Sequence, residues 1–167
     1  ENFGIYVHVP FCAAPCGYCR FYKRRADGAE QARYVELLAK EARLARGELP
    51  ESGADTMFWG GGTPSSLSAD SIERLADALG DFRPKLEWTV EVSPSTITRE
   101  KLAAFKRIGI TRISLGVQSF DERTLRSLGR AHTLRATLDA IEAVHDENFP
   151  HFSIDLIFGA KGQTKDM

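Results

Sequence analysis

The chain has 167 residues, 43% hydrophobic and 27% charged, and its 22 basic residues nearly cancel 23 acidic ones to leave a formal charge of −1. That length supports one substantial core and is short for two ordinary domains, and the balanced charge points away from nucleic acid. No stretch is apolar for the length of a bilayer crossing, and the start shows no basic-then-apolar leader, so no transmembrane segment is expected.

The first predicted strand, residues 5–9, runs into Cys12-Ala13-Ala14-Pro15-Cys16-Gly17-Tyr18-Cys19, which holds every cysteine of the chain. A disulfide framework calls for an even count scattered over a small secreted domain. A structural zinc site needs a fourth protein ligand, and no His or Cys stands nearby at the usual paired spacing. An iron–sulfur cube held by three thiolates leaves one iron open to a small molecule, and that vacancy is a reaction site. Clustered free thiols also favour the reducing cytoplasm. Lys23-Arg24-Arg25 follows and reads as a solvated loop.

Helical period appears next at Tyr34, Leu37, Leu38 and Ala42, then a strand over 56–59 and the turn Gly60-Gly61-Gly62-Thr63-Pro64-Ser65-Ser66. Three glycines permit positive φ and close backbone approach to a ligand, although a tight turn alone has the same composition. No Gly-Lys-Ser/Thr follows, so this is not a P-loop. Ser68 is placed as the N-cap of a helix with Ile72, Leu75, Ala76 and Leu79 on one face. A strand over 87–92 leads to a helix capped by Thr98, with Leu102, Phe105 and Ile108 closed by Gly109. A strand over 112–118 leads to N-caps at Asp121 and Thr133, to Leu138, Ile141 and Val144 at helical spacing, and to a last strand over 152–158.

Strand–helix repetition predicts an α/β fold with a parallel sheet and right-handed crossovers. Residues two apart share a strand face. One face carries Ile5, Val7, Val9, Val90, Val92, Ile113, Leu115, Val117, Ile154, Leu156 and Phe158, and helices should cover it. The other carries Tyr6, His8, Thr89, Glu91, Ser114, Gly116, Gln118, Ser153 and Asp155. A parallel sheet covered on both sides is apolar on both. A polar, small face instead predicts a concave wall around a cavity, hence an open (β/α) partial TIM-like barrel of five units, since a full barrel takes about 250 residues. The chain starts at Glu1 without an initiator Met and stops at Met167 past a strand and its glycine turn, as an excised, carboxyl-terminally truncated fragment would.

In such a barrel ligands sit at the carboxyl ends of strands, where the cysteine and glycine loops both emerge. Glu91, Gln118 and Asp155 lie on the inward face near strand ends. A buried carboxylate needs a partner: a cationic ligand, or structural pairing of Glu91 or Asp155 with Arg130. His132, His145 and His151 read as surface or helix-packing residues, and His8 as either a support for the cysteine site or a packing residue.

These residues resemble the radical S-adenosylmethionine (SAM) family, and within it the subgroup around oxygen-independent coproporphyrinogen III oxidase, nearest the heme-chaperone branch. The resemblance rests on Ile5-Tyr6-Val7-His8-Val9-Pro10-Phe11-Cys12, the C-x3-C-x2-C triad, the glycine turn, Glu91-Val92-Ser93-Pro94, Gly116-Val117-Gln118-Ser119-Phe120 and Ile154-Asp155-Leu156-Ile157-Phe158-Gly159. It implies a radical SAM core domain over 1–167, incomplete and without its carboxyl-terminal domain. Cys12, Cys16 and Cys19 would bind a [4Fe–4S] cluster whose open iron is chelated by the methionyl end of SAM. Tyr18 would lie on the adenine, Tyr6 would also touch the cofactor, and Gly61, Gly62 and Thr63 would hold the methionyl group. Glu91 and Arg130 would complement its charges, and Gln118 and Asp155 would reach ribose or methionyl polar groups. The chemistry implied is one-electron cleavage of SAM to a 5′-deoxyadenosyl radical. The partners implied are heme or a porphyrinogen, a flavodoxin- or ferredoxin-type electron donor, and peripheral membrane contact for heme delivery; heme itself would be held only in the full-length protein.

Two departures qualify the match. The oxidase branch has a further cysteine two residues after the triad, where this chain has Phe21, as the heme-chaperone branch does. Gly159-Ala160-Lys161-Gly162-Gln163-Thr164 replaces a Leu-Pro before Gly-Gln-Thr, which bears on the local turn. The alternatives are a porphyrinogen oxidase and, from a different class, a structural zinc-binding module.

Overall fold

The computed structural model describes residues 3–14, 16–49 and 53–164; Pro15 of the cysteine run and the two chain ends lie outside them. Strands β1 (Gly4–Val9), β2 (Thr56–Gly61), β3 (Glu87–Val92), β4 (Arg112–Gln118) and β5 (His151–Leu156) form one parallel sheet in the order of the chain. The connecting helices are α1 (Gly28–Ala45), α2 (Ala69–Ala78), α3 (Arg99–Ile108), the short α4 (Glu122–Ser127) and α5 (Leu134–Asp146). Sequential strand order means that every crossover steps the same way. With right-handed crossovers, all the helices then fall on one face and the other is left as a concave wall. The fold is an α/β partial TIM-like barrel.

Local signals explain the boundaries. Ser68, Thr98, Asp121 and Thr133 each accept a hydrogen bond from the backbone N–H three residues on, as N-caps do. Gly109 ends α3 in the left-handed region at φ 99°. A capping box at the start of α1, Asp27 with Glu30, is a further start signal. Between sheet and helices, Trp59 and Trp88 meet edge to face at 5.4 Å, and Met57, Leu75, Leu102, Phe105, Ile113 and Leu115 are fully buried around them. Each such side chain contributes about 1.5–3 kcal/mol.

Several expectations need correction. β2 runs two residues beyond the predicted 56–59, because its glycines keep pairing with the end of β1. β5 occupies His151–Leu156 rather than 152–158. Its outward apolar residues are not covered: Ile154, Leu156 and Phe158 are 36%, 58% and 94% exposed, and among the described residues no helix follows to pack on them. Leu37 and Leu138 also face solvent; α1 packs through Val35 and Ala42, and α5 through Thr137, Ala140, Ala143 and Val144. The buried face of α5 is thus made of small residues, and Leu138 lies off it. Of the two readings offered for His132, surface or packing, packing is the one that holds: it is buried, with Nε2 3.1 Å from the Val117 carbonyl.

Candidate functional site

The cysteine loop leaves β1 at Pro10 and is fastened at three places. Its return limb pairs with its start, Phe11 bridging to Arg24, the Cys12 N–H donating to the Arg24 carbonyl (3.1 Å) and the Arg24 N–H to Pro10 (2.8 Å). The glycine turn holds it from the side: Gly62 N–H donates to Val9 (2.8 Å) and Thr63 N–H to Phe11 (2.7 Å). Within the loop, Lys23 Nζ donates to the Cys19 carbonyl at 2.6 Å. Lys23-Arg24-Arg25 is therefore not merely a solvated loop. The backbone of Arg24 closes it, and the Arg24 side chain pairs with Glu30.

The glycines have separate steric reasons. A Cβ on Gly62 would lie 2.6–2.7 Å from backbone atoms of Val9, Pro10 and Phe11. Gly61 sits at φ 104° under the His8 ring. A Cβ on Gly60 would strike Phe58 and the Glu91 carboxylate. The turn is therefore a joint between two loops as well as a wall.

A cavity of about 500 Å³ opens at the carboxyl ends of the strands. All the sequence-predicted site residues line it except Tyr6. Cys12, Cys16 and Cys19 are free thiols on one side. Cys12 Sγ stands 3.6 Å from Thr63 Oγ1. Arg130 spans the gap, donating from Nη1 to Cys16 Sγ (3.4 Å) and Tyr18 Oη (3.5 Å), and from Nη2 to Gly116 O (2.7 Å) and Ser93 Oγ (3.3 Å). Opposite, Glu91 accepts from Gly61 N–H at 3.2 Å and Asp155 from Ser114 Oγ at 2.9 Å. Gln118 arrives through a bulge: Leu115 faces Ile154 and Gln118 faces Leu156, so β4 spends three residues where β5 spends two. Gln118 adopts φ 69°, and its amide lies across the bare Cα of Gly116. Tyr6, half exposed, stacks on Phe58 and sits lower on β1, its hydroxyl 3.1 Å from His8 Nδ1 and close under Gly61.

Charge is divided across the cavity. Burial raises the pKa of Glu91, Gly61 N–H partly offsets this, and the Asp155 carboxylate raises it again. Among the described residues neither acid forms an ion pair with Arg130, so the carboxylate wall faces open space. Burial pushes the Tyr18 phenol up to about 12, against the pull of Arg130. The Cys12 thiol is raised mainly by burial, with Thr63 and Lys23 acting the other way. Three thiols beside Arg130 and Lys23, facing two carboxylates, form a donor set suited to a thiolate-held inorganic group on one side and a ligand bearing both an ammonium and a carboxylate on the other. The residues present fit a three-cysteine cluster with a zwitterionic ligand.

Sequence reasoning passed over Ser93, Ser114 and Lys23. Ser114 was visible from parity as an inward residue, and Ser93 from its place just past β3. Lys23 gave no signal, since its contact depends on the loop folding back.

A sequence model of the radical SAM superfamily matches residues 6–167. The chain belongs to the radical SAM superfamily. It is 37% identical over 173 residues to the heme chaperone HemW of Mycobacterium tuberculosis, covering 99% of this chain and 44% of that protein. It is 34% identical over 163 residues to HemW of Bacillus subtilis, covering 95% and 43%. The solved structure of coproporphyrinogen III oxidase HemN from Escherichia coli, a radical SAM enzyme, superposes with a TM-score of 0.86 at 27% identity, over 99% of this chain and 39% of that one. The chain thus spans less than half the length of these relatives. Membership of the radical SAM superfamily displaces the zinc-module reading. Among the described residues no helix is long and apolar enough to cross a membrane.

Proposed function

We propose that this chain is the cluster- and SAM-binding core of a radical SAM protein of heme metabolism, of the heme-chaperone kind. In this reading Cys12, Cys16 and Cys19 hold a [4Fe–4S] cluster. Gly61, Gly62, Thr63, Glu91 and Arg130 receive the methionyl end of SAM, Gln118 and Asp155 its polar groups, and Tyr18 its adenine. Tyr6 acts from beneath, through His8 and Gly61. Bound there, cluster and SAM supply one-electron cleavage of a sulfonium. The chain's own part is to orient the ammonium against Glu91, to fix Cys16 and Tyr18 through Arg130, and to hold the cysteine loop rigid through Gly62 and Arg24.

The observation that supports this best is the meeting of three free thiols, an unpaired carboxylate wall and one bridging guanidinium in a single cavity at the carboxyl ends of the strands. The 37% and 34% identity to the HemW heme chaperones favours a role in handling heme; an electron donor, transient membrane contact and a cytoplasmic setting are part of the same proposal. The likeness to HemN supports a second reading, porphyrinogen oxidation. Phe21, at the position of the oxidase branch's fourth cysteine, weighs against it.

The test is anaerobic reconstitution of the full-length protein, with iron, sulfide and zinc analysis and electron paramagnetic resonance of the reduced sample with and without SAM. A four-iron signal that shifts on adding SAM is expected. Zinc alone, or a signal indifferent to SAM, refutes the reading. Heme binding without porphyrinogen turnover separates chaperone from oxidase.

A further inference from the structure

Three cations line the cofactor cavity, Arg20, Lys23 and Arg130, and they are held differently. Arg20 is exposed, as are Phe21, Tyr22, Arg24 and Arg25 after it, whereas Lys23 is partly buried. Arg130 divides its guanidinium between the loop and the sheet, with Cys16 and Tyr18 on one side and Gly116 and Ser93 on the other. Lys23 bonds within the cysteine loop: its side chain folds back four residues, and Nζ donates to the Cys19 carbonyl at 2.6 Å. It stands near enough to Cys12 for its charge to act on that thiol as well. Lys23 has no ion pair among the described residues. Asp27 caps α1, Glu30 is held by Arg24, and Glu91 and Asp155 belong to the opposite wall of the cavity.

We infer that Lys23 sets the reduction potential of the group held by Cys12, Cys16 and Cys19, as a fixed positive charge that favours its reduced form. The inference rests on the function proposed above, since it needs a redox-active cluster on those thiolates. Taking up one electron adds one negative charge to the cluster, and a cation tied to the same loop stabilises that added charge, because net charge and nearby donors govern such potentials. The bond to the Cys19 carbonyl is what makes the charge effective. A lysine side chain free in water is screened by salt, and one held against the loop is screened less. Arg130 is not free for this part: its guanidinium is shared with Gly116 and Ser93 and, in the reading above, with the carboxylate of the ligand. Glu91 and Asp155 act in the opposite sense from the facing wall, and Lys23 counters them on the thiol side. Without its charge the cluster is harder to reduce.

The experiment is a potentiometric titration of the reconstituted full-length protein, with dithionite as reductant and redox mediators, the reduced fraction being read by electron paramagnetic resonance with and without SAM. Lys23→Met and Lys23→Gln remove the charge, Lys23→Arg keeps it, and Arg25→Gln removes a charge of the same run that does not line the cavity. At a fixed solution potential both neutral variants are expected to lower the ratio of reduced to oxidised cluster about tenfold, which for a one-electron couple is a shift of about 59 mV to lower potential. Iron and sulfide content are expected to stay at the parent's level, and Lys23→Arg and Arg25→Gln to titrate with the parent. Neutral variants that titrate with the parent overturn the inference and leave the cluster assignment standing. So does a shift in Arg25→Gln as large as theirs, which would make the effect one of overall charge. Loss of the cluster from both neutral variants also overturns it, because Lys23 is then a strut of the loop and not a setter of potential. A parent protein that forms no SAM-responsive cluster refutes the proposed function, and this inference falls with it.

Discussion

Gly62 is where the steric reasoning is most exposed to test. Its Cβ position lies 2.6 Å from the Pro10 carbonyl carbon and 2.7 Å from the Val9 and Phe11 carbonyl oxygens, against 3.4 Å or more for ordinary contact. All three atoms are backbone, so no side chain can swing aside. In Gly62→Ala the two limbs must separate by roughly 0.7 Å, as for overpacking in a filled interior. That stretches the bonds from Gly62 to Val9 and from Thr63 to Phe11 together. Two hydrogen bonds at about 1 kcal/mol each, plus strain, give a destabilisation of about 2–3 kcal/mol. For a domain of this size that is roughly 5–10 °C in melting temperature. The assay is urea and thermal unfolding of the cluster-free protein, with iron retention after reconstitution. Gly28→Ala in the first turn of α1 is the reference, because nothing lies within 4 Å of its Cβ position. It should be neutral or slightly stabilising. A Gly62→Ala protein within about 0.5 kcal/mol of the parent, retaining iron normally, would refute the idea that this contact joins the two loops.

Three further outcomes are expected. Replacing any one of Cys12, Cys16 and Cys19 by Ala abolishes a stable four-iron cluster; full iron and sulfide in such a variant contradicts the ligand assignment. Glu91→Gln keeps an oxygen for Gly61 N–H but removes the charge, so it should weaken SAM binding about tenfold or more with little change in unfolding midpoint; unchanged SAM affinity counts against Glu91 as the partner of the ammonium. Burial and then Arg130 lower the pKa of His132 from 6.5, so below pH 6.5 the unfolded chain takes up a proton that the folded one refuses. The His132 contribution is whole above pH 6.5 and is lost as pH falls toward the folded value, with a slope of up to about 1.4 kcal/mol per pH unit. His132→Gln keeps a donor for the Val117 carbonyl and should flatten that slope; equal slopes in variant and parent dispose of the assignment.

Period-two reading of the strands recovered the concave wall, because Glu91, Ser114, Gly116 and Asp155 differ in polarity from Val90, Ile113 and Leu115, and alternation is a local property. Caps were legible for the same reason: Ser68 or Thr98 needs only a backbone N–H three residues on. What escaped depends on distant partners. The bulge that brings Gln118 opposite Leu156 is a mismatch between β4 and β5, and nothing in 112–118 announces it. The pairing of Phe11 with Arg24 needs the whole loop to return. The exposed Leu37 and Leu138 are apolar at helical spacing, and only the placement of neighbouring elements decides which flank of a helix is covered.

The same distinction bears on how the site and the fold depend on each other. Arg130 touches Cys16 across 114 residues of sequence, Glu91 touches Gly61 across 30, and Asp155 touches Ser114 across 41. The Glu91–Gly61 contact needs β2 and β3 side by side and the Asp155–Ser114 contact β4 and β5, whereas Arg130, just past β4, reaches the loop after β1, so the cavity as a whole is complete only when all five strands are in place. A ligand seated there binds the assembled sheet and not its parts. At a hundred times its dissociation constant it should therefore add about 2.7 kcal/mol to the stability of the whole unit, not of one loop. A cluster-loaded protein whose β5 amides remain as open to hydrogen exchange with SAM as without it would show that the strand ends act independently, against the coupling that the sheet order implies.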